Sequence, residues 1–199
     1  SFEYDPEWPA IHKAETFVFF RNGELVVEAQ GGKVYDSHVD YAWVHLPDTA
    51  DRLYVVGQAT GQADTLQTLL KRTPLKKEVG NGLDGWDMQG ELETLIDLEI
   101  PLYSPNKKPK VQVHSRVNKG RFSSDEERLD FADIQGEVNF SSATGLYTET
   151  LKGSLFSQPV SARILSDKQQ TQLLLDGSLE ATRLKKWLDL ELLNVMRGK

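Results

Sequence analysis

From Glu91 to Leu102 the chain alternates, with Leu92, Thr94, Ile96, Leu98, Ile100 and Leu102 on one side and Glu91, Glu93, Asp97 and Glu99 on the other. Successive side chains of a strand point to opposite faces, so this pattern requires an antiparallel sheet with one dry face and one wet face. Val111, Val113 and Val117 alternate with Gln112, His114 and Arg116 in the same way, and Ile134, Val138 and Phe140 alternate with Gln135, Glu137 and Asn139. Val39, Tyr41 and Trp43 repeat the theme. Further strands are expected at 16–20, 24–29, 53–59, 146–156, 160–165 and 171–179. Turn chemistry separates them at Arg21-Asn22-Gly23, Gln30-Gly31-Gly32, Ser104-Pro105-Asn106 and Asn118-Lys119-Gly120. The expected fold class is mainly β: an extended, twisted antiparallel sheet built from repeats, with two short amphipathic helices. Asp64 is the expected N-cap of the first helix, 66–71, which Pro74 closes. Thr182 is the expected cap of the second, 184–196, with Arg197 and Gly198 as its stop.

One pattern occurs twice. An apolar strand runs into a glycine, and a polar turn and an amphipathic segment follow, in Leu53 to Leu70 and again in Leu173 to Leu188. Gly57 then matches Gly177. Upstream, Asn22-Gly23 parallels Thr144-Gly145, and Gly31-Gly32 parallels Gly153-Ser154. All offsets fall near ~120 residues, which reads as a β unit that has been copied. The expected organisation is a first copy over 1–78, a glycine-rich connector over 79–90 containing Gly80, Gly82, Gly85 and Gly90, and a second copy over 91–199, the copies being able to pack as one continuous module.

Bulk properties narrow the function. A chain of 199 residues buries a real core. Its net charge of −7 opposes a nucleic-acid partner, whose phosphates demand a basic surface. It contains no cysteine, which removes disulfides and thiolate metal sites. No apolar run approaches the ~20 residues of a membrane-spanning helix. The start at Ser1-Phe2-Glu3 reads as a piece excised from something longer.

Catalytic patterns are absent. His12, His38, His45 and His114 fall in separate segments without ligand spacing, and no serine sits in a nucleophile elbow. The 80–90 loop lacks the Gly-Lys-Ser/Thr ending that cradles phosphate. Glu91, Glu93, Asp97 and Glu99 could serve as paired acids for sugar hydrolysis, but a solvated strand face explains them without a pocket. Lys76-Lys77, Lys107-Lys108-Pro109-Lys110 and Lys185-Lys186 are short enough to be plain solubility features rather than lipid head-group contacts. No catalytic residue, cofactor or metal is expected. What remains is the apolar strand faces, which two short helices are too few to cover. Part of that face is therefore expected to line an open groove, the alternative being a closed core.

The order of short motifs along the chain resembles the YhdP branch of the AsmA-like envelope proteins. It runs Asp5-Pro6-x-Trp8-Pro9, Leu53-x-Val55-x-Gly57-x-x-x-Gly61, Leu69-Leu70 with Thr73-Pro74-Leu75, then Leu95 and Ile100-Pro101-Leu102. It continues with Ile134-x-Gly136-x-Val138-x-Phe140, Gly145-Leu146 and Leu155-Phe156-x-x-Pro159-Val160, with Ser157 where a glycine is usual. The resemblance implies a periplasmic segment of a protein of Gram-negative bacteria, anchored in the inner membrane by a helix outside this stretch. It also implies flanking segments that extend the β assembly, and a continuous apolar groove that carries phospholipid acyl chains toward the outer membrane. Residues expected to line that groove are Leu92, Ile96, Leu98, Ile100, Val111, Val113, Val117, Ile134, Val138 and Phe140. The alternative is a non-enzymatic structural or protein-interaction module of the envelope, with a carbohydrate-active enzyme a distant third.

Overall fold

The computed structural model describes residues 9–73, 76, 85–103, 107–125, 129–166 and 171–178. Twelve strands in these stretches form a single sheet. They are β1 (Glu15–Arg21), β2 (Glu24–Gln30), β3 (Lys33–Val34), β4 (Ser37–Leu46), β5 (Arg52–Gln62), β6 (Asp87–Pro101), β7 (Lys110–Ser124), β8 (Leu129–Ser141), β9 (Gly145–Tyr147), β10 (Leu151–Leu155), β11 (Gln158–Ser166) and β12 (Thr171–Gly177). One helix, α1 (Ala63–Arg72), follows β5 directly. The spatial order β1-β2-β4-β5-β6-β7-β8-β10-β11-β12 nearly reproduces the chain order, with β3 alongside β4, and β9 bridging β8 and β11. All the pairings are antiparallel, as alternation with one dry face requires.

Register carries the dry face across the sheet. Val27 pairs with Val44, Val44 with Val55, Val55 with Leu98 and Leu98 with Val111. A second row runs from Ala29 through Ala42, Gly57, Ile96 and Val113 to Phe140. A third runs from Gly61 through Leu92, Val117, Gly136, Leu151 and Ala162 to Leu175, crossing from β5 to β12. Two buried clusters sit on this face. Leu98 and Val111 form one with Ile96, Val113 and Phe140 around them. Leu129, Phe131, Leu151, Leu155, Val160 and Ala162 form the other, flanked by Trp86 and Phe122, whose rings stack at 4.1 Å.

Several expected boundaries move. Asn118-Lys119-Gly120 is not a turn but a bulge inside β7, where the register to β8 slips between Val117 and Gly120. Lys119 takes a positive φ of 52° there, a conformation that turns and bulges share. Opposite it, β6 slips between Gln89 and Glu91, and a Cβ on Gly90 would stand 2.6 Å from Gly120 Cα. Only two facing glycines let the backbones approach so closely. β6 consequently begins at Asp87, inside the stretch expected to be connector. The strand expected over 146–156 is two strands, β9 and β10, interrupted at Thr148, whose Oγ1 accepts the Ile164 N–H at 2.8 Å.

Asp64 is not the cap of α1. The helix starts at Ala63, three residues before the expected Leu66, with Gln62 as its cap position, and Asp64 lies in the first turn with its carboxylate accepting the Thr65 N–H, where a negative charge suits the helix dipole. The second expected helix and Pro74 lie outside the described residues, so one helix of the expected two is observed. As for the repeat, Gly57 lies within β5 and Gly177 ends β12. Asn22-Gly23 and Thr144-Gly145 both sit where adjacent strands turn, whereas Gly31-Gly32 is a bend and Gly153 lies inside β10.

The β10–β11 hairpin turns on Phe156 and Ser157, both at positive φ (52° and 64°). This is the conformation for which glycine has no steric penalty. Replacing Ser157 by Gly is expected to stabilise the fold by about 0.5–1 kcal/mol, read as a raised midpoint of urea unfolding with unchanged slope.

Candidate functional site

Among the described residues, no second layer packs flat against the apolar face at the β2–β6 end. Instead that face lines a partly open cavity of about 330 Å³. Its floor is the middle register row, Ala29, Ala42 and Gly57, where small side chains leave space that valine or leucine would fill. Leu25, Val27, Val44, Leu53 and Val55 form one flank, and Val39, Ala59 and Gly61 the other. α1 packs across β5 and β6, held in part by Gln67 Nε2 donating to the Trp86 carbonyl at 2.8 Å, and contributes Leu66 and Leu69. Pro9, Ile11 and Ala14 close the side before β1. Among the described residues, none of the side chains lining the cavity carries a charge.

Of the residues expected to line a groove, Leu92, Ile96 and Leu98 line this cavity. Ile100, Val111, Val113, Val117, Val138 and Phe140 continue the same face beyond it, as the register rows require. Val111 is buried against Leu98, while Ile134 and Val138 pack on the Leu155 cluster. Sequence reasoning missed the contribution of β2, β4 and β5. Its signal was the spaced series Val55, Gly57, Ala59 and Gly61, in which the inward residues are too small to register as hydrophobic.

One polar contact interrupts the dry face. The Thr94 and Ser115 hydroxyls hydrogen-bond each other at 3.0 Å, so each satisfies the other without water.

The opposite face is a charged lattice. Gln58 Nε2 donates to Glu93 at 2.8 Å, and Arg116 reaches both Glu93 at 3.6 Å and Glu137 at 3.3 Å. Glu99 pairs with Arg52 and with Lys110. Glu93 and Glu99 are thus spent on cross-strand pairs rather than poised over a pocket. Among the described residues no group of three His, Asp or Glu side chains converges as a metal site would. No helix among them is long and apolar enough to cross a membrane.

Arg121 donates to both carboxylate oxygens of Asp130 at 2.8 and 2.9 Å across β7 and β8. These hydrogen bonds hold the Asp130 carboxyl below its usual range. A group with a depressed folded pKa stabilises the fold above its unfolded value, near ~4, and that contribution disappears as pH falls through the folded pKa. The pair is half exposed, so the effect is expected to be small and salt-sensitive. Asp130→Asn should therefore be slightly less stable than the parent at neutral pH, the gap closing in strong acid or at high salt. Urea titrations across pH measure this directly.

A family model described as "YhdP protein" matches residues 1–199. Among curated proteins, the chain is 24% identical over 160 residues to the intermembrane phospholipid transporter YhdP of Escherichia coli (strain K12), covering 80% of this chain. The aligned stretch spans 12% of that relative's length. No solved structure matches the chain.

Proposed function

Because the chain belongs to the YhdP family along its whole length, we propose that its dry face forms part of a groove along which phospholipid acyl chains pass toward the outer membrane. The relative named as an intermembrane phospholipid transporter supports the substrate class. The observation that carries the reading is the cavity, which is lined without a single charge and left unfilled by small residues at its floor. An acyl chain gains roughly 0.8 kcal/mol per methylene moved from water onto such a surface, and a space of this size takes on the order of ten of them. The phosphate finds no cation among the lining side chains, so the head group stays outside. Leu92, Ile96 and Leu98 are the contact residues at the cavity, and Ile100, Val111, Val113, Val117, Ile134, Val138 and Phe140 extend the path. In this reading the segment is periplasmic, belongs to an inner-membrane-anchored chain, and meets flanking segments of that chain at its sheet edges. It performs no catalysis.

One observation favours the structural alternative for part of the chain: Leu155 is fully buried, so the face is closed around it. We accordingly assign a supporting role to the Leu155 cluster and lipid contact to the rest of the dry face, with the half-exposed Ile134 and Val138 at its border.

Native mass spectrometry of the purified chain tests the reading, with co-purified phospholipid expected. Ile96→Asp sharpens it. Ile96 is half-buried beside the cavity, so a carboxylate there keeps access to water and the fold should survive while captured lipid falls at least about tenfold. A parent chain free of lipid, together with an unfolded Ile96→Asp variant, would favour a closed structural module instead.

A further inference from the structure

One part of the cavity wall lies outside the strands and α1: the stretch before β1. Pro9, Ile11 and Ala14 line the cavity, but the segment that carries them belongs to none of the twelve strands. It is tied to β3 through an isolated bridge, in which His12 and Lys33 exchange two backbone hydrogen bonds of 2.9 and 2.8 Å. Between this bridge and β1 the backbone turns at Lys13, whose φ of 58° is unusual for a side-chain-bearing residue. The neighbouring strand turns at the same level through Gly31 and Gly32, at φ 63° and 113°. Both strands of the ribbon therefore bend together, which brings the strap and β3 over the cavity. Gly32 is the seat: a Cβ on it would stand 2.9 Å from Ala14 Cβ and 3.1 Å from the His12 carbonyl.

We propose that the strap of residues 9–14 is the gate through which an apolar chain enters the cavity, with Ile11 as its removable wall and Lys13 as its hinge. This rests on the acyl-chain reading above. A segment tied by isolated bridge residues opens far more readily than the eleven-residue ladder between β5 and β6, and its departure removes three apolar side chains, Pro9, Ile11 and Ala14, from the wall without breaking that ladder. His12 and Lys33, the two residues of the bridge, are exposed.

A reversible lock tests the gate. The chain has no cysteine, so the double substitution His12→Cys with Lys33→Cys introduces a single pair. Hydrogen-bonded partners on antiparallel strands lie ~5.5 Å apart at Cα, within the ~4.4–6.8 Å that a disulfide spans. The probe is dansyl-labelled undecanoic acid, followed by its fluorescence rise on binding. The oxidised variant is expected to take it up at least about tenfold more slowly than the parent, with the rate restored by reduction. Ile11→Gly, which removes the wall and leaves the bridge, should take it up faster than the parent. Equal rates in the oxidised and reduced forms would overturn the gate while leaving the cavity as a binding site. Failure of the pair to oxidise would overturn it as well, by showing that the strap does not rest on β3. No uptake by parent and reduced variant alike would remove the acyl-chain reading itself, and the gate with it.

Discussion

Leu155→Ala is expected to lower the unfolding free energy by about 3–4 kcal/mol, among the larger losses for a single truncation in this sheet. Leu155 is 0% exposed at the end of β10, packed among Leu129, Phe131, Leu151, Val160 and Ala162. Its removal deletes the transfer energy of three carbons and leaves a void that the neighbouring β-strands resist closing, because their positions are fixed by ladders on both sides. For a chain of this size the loss corresponds to a fall in melting temperature of roughly 6–15 °C. The same truncation at Leu25, which is half-buried on the cavity wall, should cost much less because a void already exists there. Paired urea titrations of the two variants measure the difference, and equal losses would contradict the contrast between a packed end and a hollow end.

The second large effect is on ligand capture. Gly57→Leu is expected to abolish acyl-chain binding while leaving stability unchanged or slightly raised. A Cβ on Gly57 meets nothing closer than 3.5 Å, and its φ is not in the left-handed region, so the substitution is free of backbone strain. An isobutyl group projecting from the centre of the cavity floor would then occupy the space that a chain of methylenes needs. Glycine inside a strand is itself destabilising, by about 0.5–1 kcal/mol, so its replacement offsets any crowding. Retained folding with lost dansyl-undecanoate fluorescence is the expected pair of results. Undiminished binding would mean that the ligand lies elsewhere on the dry face.

The sequence made the sheet and its dry face legible because β6 alternates large apolar residues with acids, leaving one phase only. It made the family legible through the order of short motifs rather than through any one of them. The cavity was harder to see. A hollow is built from what is missing, and Ala29, Ala42 and Gly57 read as weak strand formers rather than as a floor. The bulges at Gly90 and Lys119 were hidden for a related reason. Each adds a residue and shifts the alternation, and glycine or asparagine beside lysine gives the same local signal for a turn as for a bulge. The strap was invisible because its meaning depends on Lys33, a neighbour distant in sequence whose own strand is two residues long.

The near-coincidence of chain order and spatial order has a mechanical consequence. β1 and β12 are at opposite edges of the sheet, so tension applied between the ends of the described chain loads one edge ladder at a time. Hairpins loaded in this way unzip bond by bond, at low force, instead of shearing as a block. Each peeled strand leaves its inner neighbour as a new edge with its pairing intact, so extension proceeds in steps and reverses in the opposite order, the behaviour of a linear array with nearest-neighbour coupling. The sheet is in this sense a ribbon that pays out length under load.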